Sequence, residues 1–267
     1  EAAVAYLRAD PGWFRVDVDA AARGLWSPAA LQAAGFECPQ GSGNPMELFS
    51  YTQFYWAVPH KGAPAYQLFG CKYIVVPKGA QPGGEGIWPV FEEDPTIDIH
   101  LNTNAMNRVW LVYDTAPVAT IEAANEIIFT AEFDPARVAT VEGGPDLEST
   151  GADAGAIEVW AYRPNRATFG VTTSERALLV LSDMRYPGWR AWVDGAPAPI
   201  YKTDGIFRGV IVPPGEHRVE MRFFPRSLRL GLGLAAMAAW LILVGAGLYY
   251  RLHYHRLEGH GGTPAPT

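Results

Sequence analysis

Apolar and polar positions alternate along most of this chain and stop alternating near its end. From Leu230 to Tyr250 no residue is charged, and such a run spans about 30 Å as a helix, enough to cross the hydrocarbon core of a bilayer. Arg222, Arg226 and Arg229 precede the run, Arg251 and Arg256 follow it, and Tyr249, Tyr250 and Tyr254 form an interfacial aromatic belt at its far end. The pattern predicts one transmembrane helix over 228–251 and a flexible tail over 252–267. Both flanks are basic, so charge does not set the orientation. Gly231, Ala235 and Ala239 recur four apart on one helix face, a stripe that either packs on other helices or is simple filler.

The stretch before the helix reads as short strands closed by turns. Ala177–Asp183 is an apolar run. Trp189–Val193 ends at Asp194-Gly195, Pro199–Lys202 at Asp204-Gly205, and Ile206–Val212 at Pro213-Pro214-Gly215; His217–Phe223 comes last. Asp-Gly between short apolar strands is a hairpin signal. The five strands predict an antiparallel meander forming one sheet of a small β-sandwich. Ala156–Tyr162 adds a further strand.

The first 142 residues mix both periods. Phe14–Val18 alternates as a strand, Tyr73–Val76 reads as a buried strand, and Ile97–Asn102 and Val109–Tyr113 look like a pair. Ser27-Pro28 starts a short helix that Gly35 would end, Asn44-Pro45 starts another that runs to about Tyr55, and Thr120–Thr130 looks helical. The expected class is therefore strand-rich α+β. A mixed domain (1–142) is followed by a polar linker or exposed loop (143–155), an antiparallel β-sandwich-like domain (156–227), and the helix.

Composition narrows the partners. A net charge of −7, scattered along the chain, argues against nucleic acid. Cys38 and Cys71 are the only cysteines; a disulfide and two buried thiols both stay open, and their spacing offers no metal site. No signal peptide is visible and the first residue is Glu1, so the expectation is the tail of a longer protein.

Candidate chemistry is sparse. No G-x-S-x-G, CxxC, P-loop or HExxH pattern occurs, so no catalytic residue, metal or cofactor is expected. Asp17-Val18-Asp19 has the spacing of the DxD pair that binds a metal and a nucleotide sugar in some glycosyltransferases, but alternate residues on a strand more often form a wet face. His253, His255 and His260 read as interfacial, and His100 and His217 as structural. Trp189 shares its strand face with Ala191 and Val193 and is expected inside. Trp192 then faces outward with Arg190, where it could stack on a sugar, lie on headgroups or, as expected, pack on the first domain. Tyr186 and Tyr201 join Trp192 as candidate glycan or domain contacts. Six residues, Phe224–Arg229, separate the last strand from the helix, which is expected to hold the body near the bilayer with Arg222, Arg226 and Arg229 as candidate headgroup contacts.

Several of these segments carry a family resemblance. Tyr186-Pro187-Gly188-Trp189-Arg190-Ala191-Trp192-Val193-Asp194-Gly195 resembles the YPGW-x-A-x-VDG segment of the bacterial YfhO-type membrane proteins. Pro199–Lys202, Phe207–Val210, Pro214–Val219 and Phe224–Ser227 follow in the same order. Leu68–Val75 is similar to the family's LLNVKYVI strand and Phe133-Asp134-Pro135 to its FDP stretch. Asn104–Val109 is similar to N-x-ALPRA, with Asn107 in place of the proline.

The resemblance implies a polytopic protein with upstream helices, a large extracytoplasmic C-terminal region in the plasma membrane, and likeness to GT-C glycosyltransferases. These use polyprenyl-phosphate sugars to glycosylate cell-envelope polymers. The catalytic carboxylates of that class lie in loops between early helices that this chain does not contain, so the chain is expected to be inactive alone. Its expected partners are the bilayer, the upstream helices, and a polyprenyl-phosphate sugar or envelope glycan. The alternative is a non-catalytic, membrane-anchored carbohydrate-binding or envelope-assembly module.

Overall fold

Among the described residues the strands belong to three sheets, and the chain crosses between them repeatedly. The computed structural model describes residues 1–40, 49–151 and 155–258, with the side chains of 226, 228, 229 and 252–258 outside the description. Helix α1 (Ala2–Arg8) leads to β1 (Arg15–Val18), a 3-10 turn (Ala20–Ala22), α2 (Pro28–Ala33), α3 (Phe49–Ala57) and α4 (Pro64–Gln67). Strands β2 (Cys71–Pro77), β3 (Ile87–Phe91), β4 (Ile97–Asn102), β5 (Val109–Val112) and β6 (Asp114–Val118) precede α5 (Ile121–Ile128). Then come β7 (Val138–Glu142), β8 (Gly155–Arg163), β9 (Arg166–Thr173), β10 (Ala177–Met184), β11 (Trp189–Val193) and β12 (Ala196–Ala198). Last are β13 (Tyr201–Thr203), β14 (Phe207–Val212), β15 (Gly215–Phe223) and α6 (Arg226–Glu258).

The sheets run β1-β2-β4-β3, β5-β10-β14-β13-β7-β6 and β12-β11-β15-β9-β8. Pairs β1–β2 and β6–β7 are parallel. The class is strand-rich with mixed and antiparallel sheets and one C-terminal apolar helix, as expected.

Local signals act where expected. The Ser27 and Thr120 hydroxyls accept the amides of Ala30 and Ala123 and cap α2 and α5. Asp194-Gly195 and Asp204-Gly205 all have positive φ; the first pair is a tight two-residue hairpin turn and the second opens a three-residue one with Ile206. Those turns close β11–β12 and β13–β14.

The expected single meander is not what these strands form. β10, β13 and β14 lie in the six-stranded sheet, while β11, β12 and β15 lie in the five-stranded one. Each hairpin stays in one sheet, and the chain changes sheet at the proline-bearing connections Arg185–Gly188, Pro199-Ile200 and Pro213-Pro214. Nor do Ile97–Asn102 and Val109–Tyr113 pair. β4 is held between β2 and β3, and β5 pairs with Leu178–Leu181 of β10. The stretch 143–155 separates no domains either: residues Glu1–Arg222 are one compact unit, and β5, β6 and β7 share a sheet with β10, β13 and β14.

Two further expectations concern the helices. The start expected at Asn44-Pro45 lies outside the described residues; the described part of that helix is α3. The tail expected from residue 252 is helical as far as Glu258. Within α6, Leu230–Arg251 is long and apolar enough to cross a membrane, at mean hydropathy 2.0. Phe223–Thr267 is a unit of its own.

Three apolar clusters hold the layers. Ala3, Leu7 and Leu31 of α1 and α2 pack on Val16, Val75 and Ile99 of the four-stranded sheet. Phe54, Phe69, Ile74, Trp110, Leu178, Val180 and Phe207 join its other side to the six-stranded sheet. Leu179, Leu181 and Val210 then meet Phe169, Val171, Ala191 and Val219 of the five-stranded sheet. Strand β10 thus sends Leu178 and Val180 one way and Leu179 and Leu181 the other. That explains its unbroken apolar run, which strands buried on both faces need.

All three sheets meet at Asp183, at the end of β10. Its Oδ1 accepts from Arg15 Nη2 (3.0 Å) and Arg108 Nη2 (2.8 Å), and its Oδ2 from Arg208 Nη2 (2.7 Å) and the Tyr162 hydroxyl (2.8 Å). Arg15 belongs to the four-stranded sheet, Arg208 to the six-stranded and Tyr162 to the five-stranded. The Arg208 guanidinium lies 3.7 Å from the Trp189 ring centroid, and that of Arg108 4.8 Å from Trp13. Burial alone would raise the Asp183 carboxyl; the charges of Arg208, Arg108 and Arg15 outweigh it and hold the group below the usual carboxylate range.

Candidate functional site

A second buried carboxylate, Asp17, lies at the base of an open cleft. In β1 the neighbours Val16 and Val18 point into the cluster under α1 and α2, so Asp17 points to the opposite face. Only 1% of it is exposed. Tyr55 of α3 donates to both its oxygens, at 3.1 and 3.2 Å, and Tyr66 of α4 donates at 2.6 Å. Lys61 Nζ, from the loop between these helices, also donates to Oδ2. The ammonium sits 4.9 Å from the Tyr66 ring centroid and 5.6 Å from that of Tyr55. Burial and then the Asp17 charge push both phenols well above their ordinary value, so they stay protonated donors.

The loop carrying Lys61 is fixed from two sides. Gln67 Nε2 donates to the carbonyls of Lys61 (3.2 Å) and Ala63 (3.3 Å), and Gln67 Oε1 accepts from Asn102 (2.7 Å). Gly62 and Gly84 bring two loops into contact so close that a Cβ on either would sit within 2.5 Å of the other's backbone.

Above this base lies a cleft of about 330 Å³, bordered by Asp19, Arg23, Trp56, His60, Lys61 and Tyr66. Trp56 is 60% exposed. The Arg23 guanidinium lies 5.3 Å from its ring centroid. Arg23 Nε is buried and makes no hydrogen bond, and among the described residues no carboxylate pairs with this side chain. Asp19 is committed to capping the 3-10 turn, accepting the Ala21 amide at 3.0 Å. The arrangement offers a ring face, a guanidinium with no carboxylate partner among the described residues, and a lysine already balanced by Asp17. It suits a ligand with both a ring to stack and an anionic group.

Asp17 and Asp19 do not form a metal pair. Both Asp17 oxygens are bonded by Tyr55 and Tyr66, and the Lys61 ammonium stands where a cation would bind. Among the described residues no group of three or more His, Cys, Asp or Glu side chains could hold a metal. Cys38 and Cys71 are both free. Burial pushes the Cys38 thiol up to about 12, which makes it a poor nucleophile. His217 is structural: it bonds Asp194 (2.6 Å) and the Pro214 carbonyl (3.0 Å). His100 is buried without a hydrogen-bond partner.

The aromatic residues singled out by sequence do not share one surface. Tyr201 packs against the central cluster, and Tyr186 lies exposed in the connection from β10 to β11. Trp189 packs between the sheets as expected. Trp192 is half-buried on the outer face of the five-stranded sheet, where the Arg222 guanidinium lies 5.6 Å from its ring centroid. Arg222 in turn is bidentate to Glu220, at 2.7 and 2.9 Å. The side chains of Arg226, Arg229, His253 and His255, and all of His260, lie outside the described residues.

Sequence reasoning missed Arg23, Trp56 and Lys61. The available signal was Tyr55-Trp56: adjacent aromatics on a helix point about 100° apart, so when one is buried the other faces out.

Residues 151–235, from the loop before β8 into α6, match the family model described as Bacterial membrane protein YfhO. No curated protein and no solved structure matches the chain.

Proposed function

Starting from residues 151–235 as a YfhO-type membrane-protein region, we propose that the chain is the extracytoplasmic C-terminal region and last helix of a polyprenyl-phosphate-sugar-dependent glycosyltransferase for cell-envelope polymers. The family match and the apolar helix support integration in a membrane. The observation that carries the sugar-handling reading is the cleft over Asp17, with the Trp56 indole beside the Arg23 guanidinium. A sugar ring would stack on Trp56 while a phosphate met Arg23. The chain's part is then to bind and orient; the transfer chemistry belongs to upstream loops.

The test is calorimetric titration of the anchored chain in nanodiscs with a polyprenyl-phosphate sugar and with the free sugar. The lipid-phosphate sugar should bind more tightly, and Trp56→Ala and Arg23→Met should each weaken it about tenfold. Equal affinity for the free sugar would favour the alternative, a non-catalytic carbohydrate-binding module. Sugar transfer by the chain alone would overturn the accessory role. For sidedness, a cysteine placed at exposed Glu93 should react with a membrane-impermeant maleimide on intact cells.

A further inference from the structure

The outer face of the five-stranded sheet holds two tryptophans in fixed positions, and neither belongs to the cleft. Trp160 is 53% exposed, yet it is tied down. The β8 register shifts between Val159 and Ala161, a bulge that re-aims the indole across the neighbouring strand. There the ring lies on Gly170 of β9, where a Cβ would sit 2.5 Å from it, and its Nε1 donates to Glu158 at 3.0 Å. Trp192 of β11 is flanked by Arg222, which Glu220 holds, and Glu220 also pairs with Arg166 at 2.7 Å.

Register fixes the spacing of the two rings. Asp194 N donates to Arg218 O, which puts Trp192 level with Glu220, and Gly170 pairs with Arg218. The two indoles are therefore about 10 Å apart across two strand intervals and about 7 Å along them. One sugar ring cannot touch both; an extended chain of several can.

The groups between the rings favour one kind of occupant. Arg166 and Arg222 both bond Glu220, and the other charged residues with outward register are Arg163, Arg190 and Arg218 against Glu158 and Glu216. Cations and carboxylates are interleaved across the face, so hydroxyl groups meet flush donors and acceptors beside two ring faces.

We propose that this face is a platform for an extended glycan chain, laid across Trp160 and Trp192. The experiment is titration of the anchored chain in zwitterionic nanodiscs with cellohexaose and cellobiose, with phosphatidylglycerol vesicles as the lipid arm. The hexasaccharide should bind about tenfold more tightly than the disaccharide, and Trp160→Ala and Trp192→Ala should each cost about tenfold. Trp160→Phe should retain most of the affinity, and Gly170→Ala should weaken it by displacing the indole without removing a ring. Circular dichroism of each variant separates lost binding from lost folding.

Trp88→Ala, at an exposed tryptophan outside both sites, should leave hexasaccharide binding unchanged. Loss of binding with Trp56→Ala but not with Trp160→Ala would place the sugar in the cleft and overturn the platform alone. No hexasaccharide binding, no preference for length, or Trp160-dependent binding of vesicles in place of glycan would overturn it as well.

Discussion

Asp17 and Asp183 are both buried carboxylates balanced by basic side chains, and they do opposite work. Asp183 is enclosed by three guanidiniums and a phenol, with Trp189 and Trp13 covering the outer faces of two of those guanidiniums. Its bonds run to all three sheets. Asp17 has two phenols and one ammonium, and the side chain bearing that ammonium is 20% exposed in an open cleft. A cluster whose bonds tie three sheets fixes how layers pack; one whose ammonium faces a cleft can respond to a ligand. Burial of charge alone does not distinguish the two, but the elements that each carboxylate ties together do.

The sharpest way to break this comparison is Asp183→Asn. It leaves three guanidiniums around a neutral amide, and losing one partner of a buried ion pair costs about 3–5 kcal/mol. The urea midpoint of the body should fall accordingly, and an unchanged midpoint would remove the cluster's structural role. Asp17→Asn should cost less, about 1–3 kcal/mol, because Lys61 can turn toward the cleft. Trp56→Ala should move stability by under about 0.5 kcal/mol while weakening ligand binding. If Asp17→Asn proved as damaging as Asp183→Asn, the distinction between a layer-tying cluster and a cleft-facing one would fail.

A third carboxyl sharpens the contrast through pH. Asp204 is fully buried with only Thr140 as a partner, and burial raises it to about 7. The folded chain thus holds this proton more tightly than the unfolded chain. Its contribution to stability is present in acid and is lost as pH rises through about 7. Asp183 behaves oppositely: its contribution is present above the ordinary carboxylate value and is lost as pH falls through its depressed one. Melting temperature should therefore drop on both sides of a mildly acidic optimum, and Asp204→Asn should flatten the alkaline side only.

The smallest effect should come from His217, whose pairing with Asp194 raises its ordinary value. The stabilisation is present below the unfolded value and fades as pH rises past the folded one. An NMR titration of the His217 ring should shift back toward the ordinary value in Asp194→Asn.

Legibility in the sequence followed distance along the chain. The caps at Ser27 and Thr120, the Asp-Gly turns and the long apolar helix depend on neighbours, and each was readable. Which sheet a strand joins depends on remote partners, so the predicted meander divided between two sheets. The apolar run at β10 gave away its burial but not that Asp183, at its end, is buried among charges; one partner, Arg15, is 168 positions away. The cleft was equally hidden, because Asp17 meets Tyr55, Lys61 and Tyr66 only after β1 has paired with β2.

The reach of the Asp183 cluster also orders events during synthesis. A ribosome delivers Arg15 and Arg108 well before it delivers Asp183, and Arg208 later still. Until then the two early guanidiniums have only Glu37 to balance them, and the layer built on β1 lacks the residue that ties it to the other sheets. A nascent chain stopped before β10 should be open to proteases along its whole length. Protection should come in a single late step, once the last of the three arginines has emerged.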